Sequence, residues 1–200
     1  ENYAAAVAQY DAILRVAQQP QLRARIAFQA ADTLLMAGEF QAGYDRHLAV
    51  AQTYPEEEPA YRSLVKLLDA GRPVDDLLRG IIDYHAEAYG AAVQAFYRYI
   101  QTYPDTHSGD AHWYAGLSFR EADSIDLAIR EFELLIDTHP NNGYWGEAWL
   151  ELADVYADLD QIDRAVATYQ AFVDAAPAHT LAPEALWEAA ELLERNGRID

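Results

Sequence analysis

Residues able to do chemistry are sparse in this chain. Of six histidines, only His107-x2-Asp110-x-His112 brings metal-ligand types close together in sequence. A zinc site needs at least three ligands in fixed geometry, and no His-Glu-x2-His or cysteine spacing supplies one. His107, His139 and His179 fall near turns, each within three residues of a proline. No metal and no cofactor are therefore expected. Glu56-Glu57-Glu58 lies between Pro55 and Pro59, in a turn where water keeps carboxylates ionised, whereas a general acid needs an apolar pocket or a like-charged neighbour. Ser63, Ser108, Ser118 and Ser124 lack the Gly-x-Ser-x-Gly turn of an activated serine. Gly38-x4-Gly43 lacks the Lys-Ser/Thr that would complete a phosphate loop. No catalytic residue is assigned, and the chain reads as non-enzymatic.

Composition narrows the classes further. The 200 residues carry 33 acids and 14 bases, a net charge of −19, and Lys66 is the single lysine. Such a chain repels nucleic acid, whose affinity rests on cations against phosphates. The charge is uneven: most of the excess acid lies after residue 104, which predicts either a solvated helical surface or attraction of a basic partner. No apolar run approaches the ~18 residues of a membrane span. Without cysteine, the sequence does not report a redox compartment, and localisation stays open.

What positions these residues is a repeat. Four times a small residue is followed four later by a ring, and eight after that by proline: Gly43-His47-Pro55, Ala92-Phe96-Pro104, Ala128-Phe132-Pro140 and Ala165-Tyr169-Pro177. Another small residue precedes each set by twelve: Ala31, Gly80, Gly116 and Ala153. A step of four puts the small residue and the ring on one helix face, and proline marks where that helix has stopped. Each unit is therefore two antiparallel helices and a short turn. Eleven helices are expected, at about 2–18, 21–37, 40–54, 57–70, 73–87, 89–103, 108–122, 125–138, 144–158, 161–175 and 182–196. The 49-residue interval between Pro55 and Pro104 holds an extra helix from Pro59 to Ala70.

With Trp149-x2-Leu152-Ala153-x2-Tyr156, then Ala165, Tyr169 and Pro177, the sequence resembles a tetratricopeptide repeat array. The resemblance implies an all-α, right-handed α-solenoid of antiparallel helix pairs. It divides the chain into a partial repeat at 1–20, repeats at 24–57, 73–106, 109–142 and 146–179, the extra helix at 58–72, and a partial repeat at 182–200. Two copies depart from the pattern: Asp83 replaces an aromatic, with Tyr84 after it, and Leu34 and His47 stand where aromatics are usual. Because the array begins and stops within a helix pair, its ends are expected to be open. A fragment of a longer protein and end-to-end self-association are the corresponding expectations.

The resemblance also implies a partner-binding concave face, formed by Phe28, Asp32, Tyr84, His85, Trp113, Leu117, Arg120, Leu150, Asp154, Trp187 and Glu191. Its partner would be a protein or peptide, basic or apolar rather than acidic, since the Lys/Asn set that clamps a terminal carboxylate is missing. Trp149 is expected in the core. Tyr54-Pro55, Tyr103-Pro104, the inserted helix and Phe96-Tyr97-Arg98-Tyr99-Ile100 are in addition similar to the helical region of bacterial soluble lytic transglycosylases. That second resemblance implies a cell-envelope location and an arm for a peptidoglycan-acting domain beyond this chain.

Overall fold

The computed structural model describes residues 2–197, and every regular element among them is an α-helix. In chain order these are α1 (Tyr3–Val16), α2 (Pro20–Met36), α3 (Phe40–Thr53), α4 (Glu58–Asp69), α5 (Asp76–His85), α6 (Tyr89–Thr102), α7 (Asp110–Glu121), α8 (Ile125–Thr138), α9 (Trp145–Asp158), α10 (Ile162–Ala175) and α11 (Ala182–Arg195). Each falls where the repeat places a helix. Of the partial repeats expected at 182–200 and 1–20, residues 198–200 and Glu1 lie outside the described residues.

Two compact units divide the chain, Glu1–Thr102 with α1–α6 and Tyr103–Asp200 with α7–α11. Within the first, α2 pairs with α3 and α5 with α6, while the extra helix α4 packs against α2, α3 and α5. Its residues Ala60 and Leu64 close a small core with Ala51 and Ile82. Within the second, α7 pairs with α8 and α9 with α10, and α11 packs on α10. Both are helix pairs stacked in sequence order, the arrangement of an α-solenoid.

The turns inside the pairs share one geometry. The chain passes through a left-handed residue at Gly38, Glu87, Asp123 and Asp160, and the next N–H bonds back to a carbonyl of the helix just ended. Those bonds are Glu39 to Leu34, Ala88 to Asp83, Ser124 to Phe119 and Gln161 to Tyr156, each 2.8–3.0 Å. This is a helix-stop motif that satisfies carbonyls left over at the helix end.

The small residues and rings meet across the pairs α5–α6, α7–α8 and α9–α10. Gly80 lies under Phe96 and Gly116 under Phe132, so close that a Cβ would stand 2.3 Å and 2.6 Å from the ring. Ala153 and Tyr169 share the core of the second unit. Phe96, Phe132 and their helix-mates Ala92 and Ala128 are fully buried. The irregular α5 keeps this register, because Gly80 still faces Phe96. Asp83 occupies the aromatic position and is buried 3.5 Å from Arg79, and burial pushes its carboxyl above the usual range. Phe132→Ala is expected to destabilise the second unit by about 3–5 kcal/mol, and Gly116→Val by about 1–3 kcal/mol through overpacking. Urea unfolding followed by circular dichroism measures both.

Candidate functional site

In the second unit, two of the residues assigned to the binding face share a cavity. Arg120 on α7 and Asp154 on α9 line a space of about 280 Å³ together with Asp158, Tyr169, Glu188 and Arg195. Its electrostatics are negative. Arg120 is held by Glu151 and lies 3.6 Å from Asp158, and Arg195 is held by Glu191 one turn back on α11. The Tyr169 hydroxyl donates to Asp154. Burial, with Asp154 behind it, drives that phenol far above its ordinary value. Burial also raises the Glu188 carboxyl, reinforced by Asp154 and Glu191. Burial raises Glu151 too, against the pull of Arg120. Both guanidiniums are engaged, and carboxylates outnumber them.

The remaining assigned residues fall into different environments. Leu150 and Asp154 on α9, and Trp187 and Glu191 on α11, sit one turn apart and so share a face in each helix. Trp187 is 60% exposed, among the most open large apolar side chains described. Leu117 is half-buried on α7. In the first unit, Tyr84 is half-buried, packed against His85 and Tyr89 with ring centroids 5.1 and 5.9 Å away. Asp32 is committed to Lys66, 3.1 Å away.

Two of the assigned residues are corrected. Trp113 is buried, stacked flat on Tyr144 with centroids 5.0 Å apart and planes 6° from parallel, and packed against Phe132. Its cover comes from the turn before α9, where the Tyr144 N–H bonds the Asn142 side chain at 2.8 Å and fixes the ring. Phe28 is also buried, edge-on to His47 at 5.1 Å and capped by the Arg62 guanidinium at 4.2 Å. Neither ring offers a face to a ligand. Of the cavity residues that the sequence reading missed, Asp158, Tyr169, Glu188 and Arg195, two carried signals of a different kind: Tyr169 is a repeat ring whose hydroxyl needs a partner, and Glu188 is an acid one place after Trp187.

Serine, histidine and aspartate do meet, in the first unit. His47 Nδ1 lies 3.0 Å from Ser63 Oγ, and His47 Nε2 lies 3.2 Å from Asp32 Oδ1. The order resembles a nucleophile relay, but His47 and Ser63 are both fully buried. An attacking oxygen needs an approach for its substrate; here Ser63 instead pairs with one nitrogen of an imidazole set in the repeat's ring position, while Nε2 lies near Asp32 without a hydrogen bond. Burial holds the His47 imidazole below its ordinary value, helped by Lys66 and opposed by Asp32.

A second cluster of histidines bears on the expectation of no metal. His107, in the turn before α7, and His112, in the first turn of α7, are joined by His139, which caps α8. One ring nitrogen from each lies within 4.8 Å of the other two. Sequence spacing displayed His107, Asp110 and His112; antiparallel pairing of α7 with α8 supplies the third histidine. Asp110 instead accepts a 2.7 Å bond from the Asn142 amide. The requirement of three ligands, absent from local spacing, is met by the fold.

Residues 110–142 and 147–179 match the tetratricopeptide repeat family model. No curated protein matches the chain. Among solved structures, MamA of AMB-1 is similar over 79% of this chain and 83% of that one, at 21% identity and a TM-score of 0.57. A second MamA structure is similar over 88% of this chain and 83% of that one, at 18% identity and a TM-score of 0.48. At 21% identity the likeness is one of fold. The likeness to lytic transglycosylases finds no support in these matches, and the inserted helix is accounted for by its packing on α2, α3 and α5.

Trp113→Ala is expected to cost about 3–5 kcal/mol of stability in the second unit, measured by urea unfolding, because a covered ring is removed. For His47 the sign follows from its lowered pKa. The unfolded chain takes up a proton as pH falls through about 6.5 while the folded chain resists, so stability present above that pH is lost below it. Replacing it by the usual repeat ring, His47→Phe, is expected to flatten the stability profile between about pH 7 and 5. The difference in slope approaches at most about 1.4 kcal/mol per pH unit, read from unfolding curves of the two proteins.

Proposed function

We propose that this chain, with its tetratricopeptide repeats at 110–142 and 147–179, is a non-catalytic protein–protein interaction scaffold. Its second unit receives a basic segment of a partner on the face carrying Arg120, Leu150, Asp154, Trp187 and Glu191. One observation carries this reading: the cavity lined by Asp154, Asp158 and Glu188 contains two guanidiniums, and both are already held by carboxylates. An incoming arginine or lysine therefore meets unmatched negative charge, which favours its approach and discriminates against acidic segments. The exposed Trp187 ring adds an apolar anchor of the type that dominates interface energetics. Among the described residues no helix is long and apolar enough to cross a membrane.

The test uses labelled peptides of matched length, one arginine-rich with an aromatic residue and one glutamate-rich. Fluorescence anisotropy is expected to show the basic peptide bound and the acidic one not, with affinity falling about tenfold from low to high salt as the charges are screened. Asp154→Asn combined with Glu188→Gln, which keeps the acceptor for Tyr169, is expected to weaken binding about tenfold with circular dichroism unchanged. Equal binding of the two peptides, or full affinity in the double variant, would refute the reading.

A further inference from the structure

We propose that His107, His112 and His139 form a binding site for a divalent transition-metal cation of the zinc class, ligated through their Nε2 atoms and supported by Glu131. Nitrogen-to-nitrogen distances are 3.1 Å from His107 Nε2 to His112 Nε2 and 3.2 Å from His107 Nε2 to His139 Nε2. Zinc–nitrogen bonds of about 2.0–2.1 Å in a tetrahedron put neighbouring nitrogens about 3.3–3.4 Å apart. Two edges of the required triangle are therefore close to length, and the third pair lies within 4.8 Å.

The hydrogen accounting points to the same centre. His107 Nδ1 faces two carbonyls, Tyr103 O at 3.0 Å and Pro104 O at 3.1 Å, so it must carry a hydrogen and donate. His112 Nδ1 donates to the Glu131 carboxylate at 2.7 Å. In the neutral rings, the Nε2 atoms of both are then bare lone pairs aimed at each other across 3.1 Å. Such a pair repels unless a cation lies between. One proton could bridge one pair, whereas three converging nitrogens suit a metal. A histidine ligand characteristically donates its other N–H to a carboxylate or a backbone carbonyl; His112 does the first and His107 the second.

The residue types are out of place for a packing role. Thirty-seven residues on, the next repeat has Tyr144, Trp149, Thr168 and Ala176 where this one has His107, His112, Glu131 and His139. His112 thus stands where the next repeat has a half-buried tryptophan packed on its core, and Glu131 is 2% exposed. Burying an imidazole and a carboxylate where the next repeat has tryptophan and threonine is costly without compensation. Metal binding provides it. An approach route exists as well: His107 and His139 line a cavity of about 320 Å³ with Ser108, Gly109 and Asn142.

The test is calorimetric titration of the full chain with Zn2+ in excess Mg2+, which occupies the acidic surface. One tight equivalent is expected, with a raised melting temperature, since a ligand that binds only the folded state stabilises it. His139→Ala and His107→Gln, both at half-buried positions, are each expected to lose at least about tenfold in affinity, and Glu131→Gln about 10–100-fold. His179→Gln, outside the cluster, is expected to retain it. Co2+ in place of Zn2+ should give the intense visible absorption of a four-coordinate site. Absence of tight binding, equal binding by the wild type and the His107 and His139 variants, or a weak six-coordinate Co2+ spectrum would each overturn the proposal.

Discussion

A phenyl ring lying on a glycine, with no room for a methyl group between them, is the contact on which the pairs α5–α6 and α7–α8 are built. Phe96 on Gly80 and Phe132 on Gly116 bring the two helices of a pair to a separation that larger residues at either place would prevent. Everything at the ends of the pair follows from that register. The left-handed stops at Glu87 and Asp123 turn the chain back at a fixed offset, and the prolines release it into the next pair. Because the ring is buried and the small residue covered, the faces left over are free to vary. In the second unit that freedom yields an acidic cavity beside α11 and a polar cluster where α7 meets the end of α8.

Polar residues set into packing positions divide by what encloses them. His47 takes the ring position in the first unit and is sealed, with Ser63 on one nitrogen and Asp32 near the other. A buried polar pairing of this kind specifies packing and is sensitive to protonation. His112 and Glu131 are buried too, yet their partners His107 and His139 reach a cavity. The same substitution of polar for aromatic thus gives a structural joint in one unit and a ligand-ready cluster in the other. Access separates them, not residue type.

The elements were legible in the sequence because the signals for them are local. A four-residue step, a small residue twelve earlier and a terminal proline fix the helix, its buried face and its stop, and α1 to α11 appear at those places. Legibility failed where a residue from elsewhere in the fold decides the outcome. Trp113 and Phe28 read as face residues from their phase alone, but Tyr144 and Arg62 cover them. His139 lies 27 residues from His112, beyond any ligand spacing, and joins it because antiparallel helices bring the start of one beside the end of the other. Arg120 and Asp154 could be placed together from phase; that Arg120 is already neutralised by Glu151 could not.

A double-mutant cycle between Gly116→Ala and Phe132→Leu in urea unfolding addresses the ring-on-glycine contact without intermediaries. If close approach of this pair governs the stacking, the smaller side chain relieves the clash of the added methyl. The two changes together then cost less than their separate effects summed, by about 1 kcal/mol or more. Additivity within about 0.3–0.5 kcal/mol would mean that the pair does not sense its own separation, and the account of how these helices are held would be wrong.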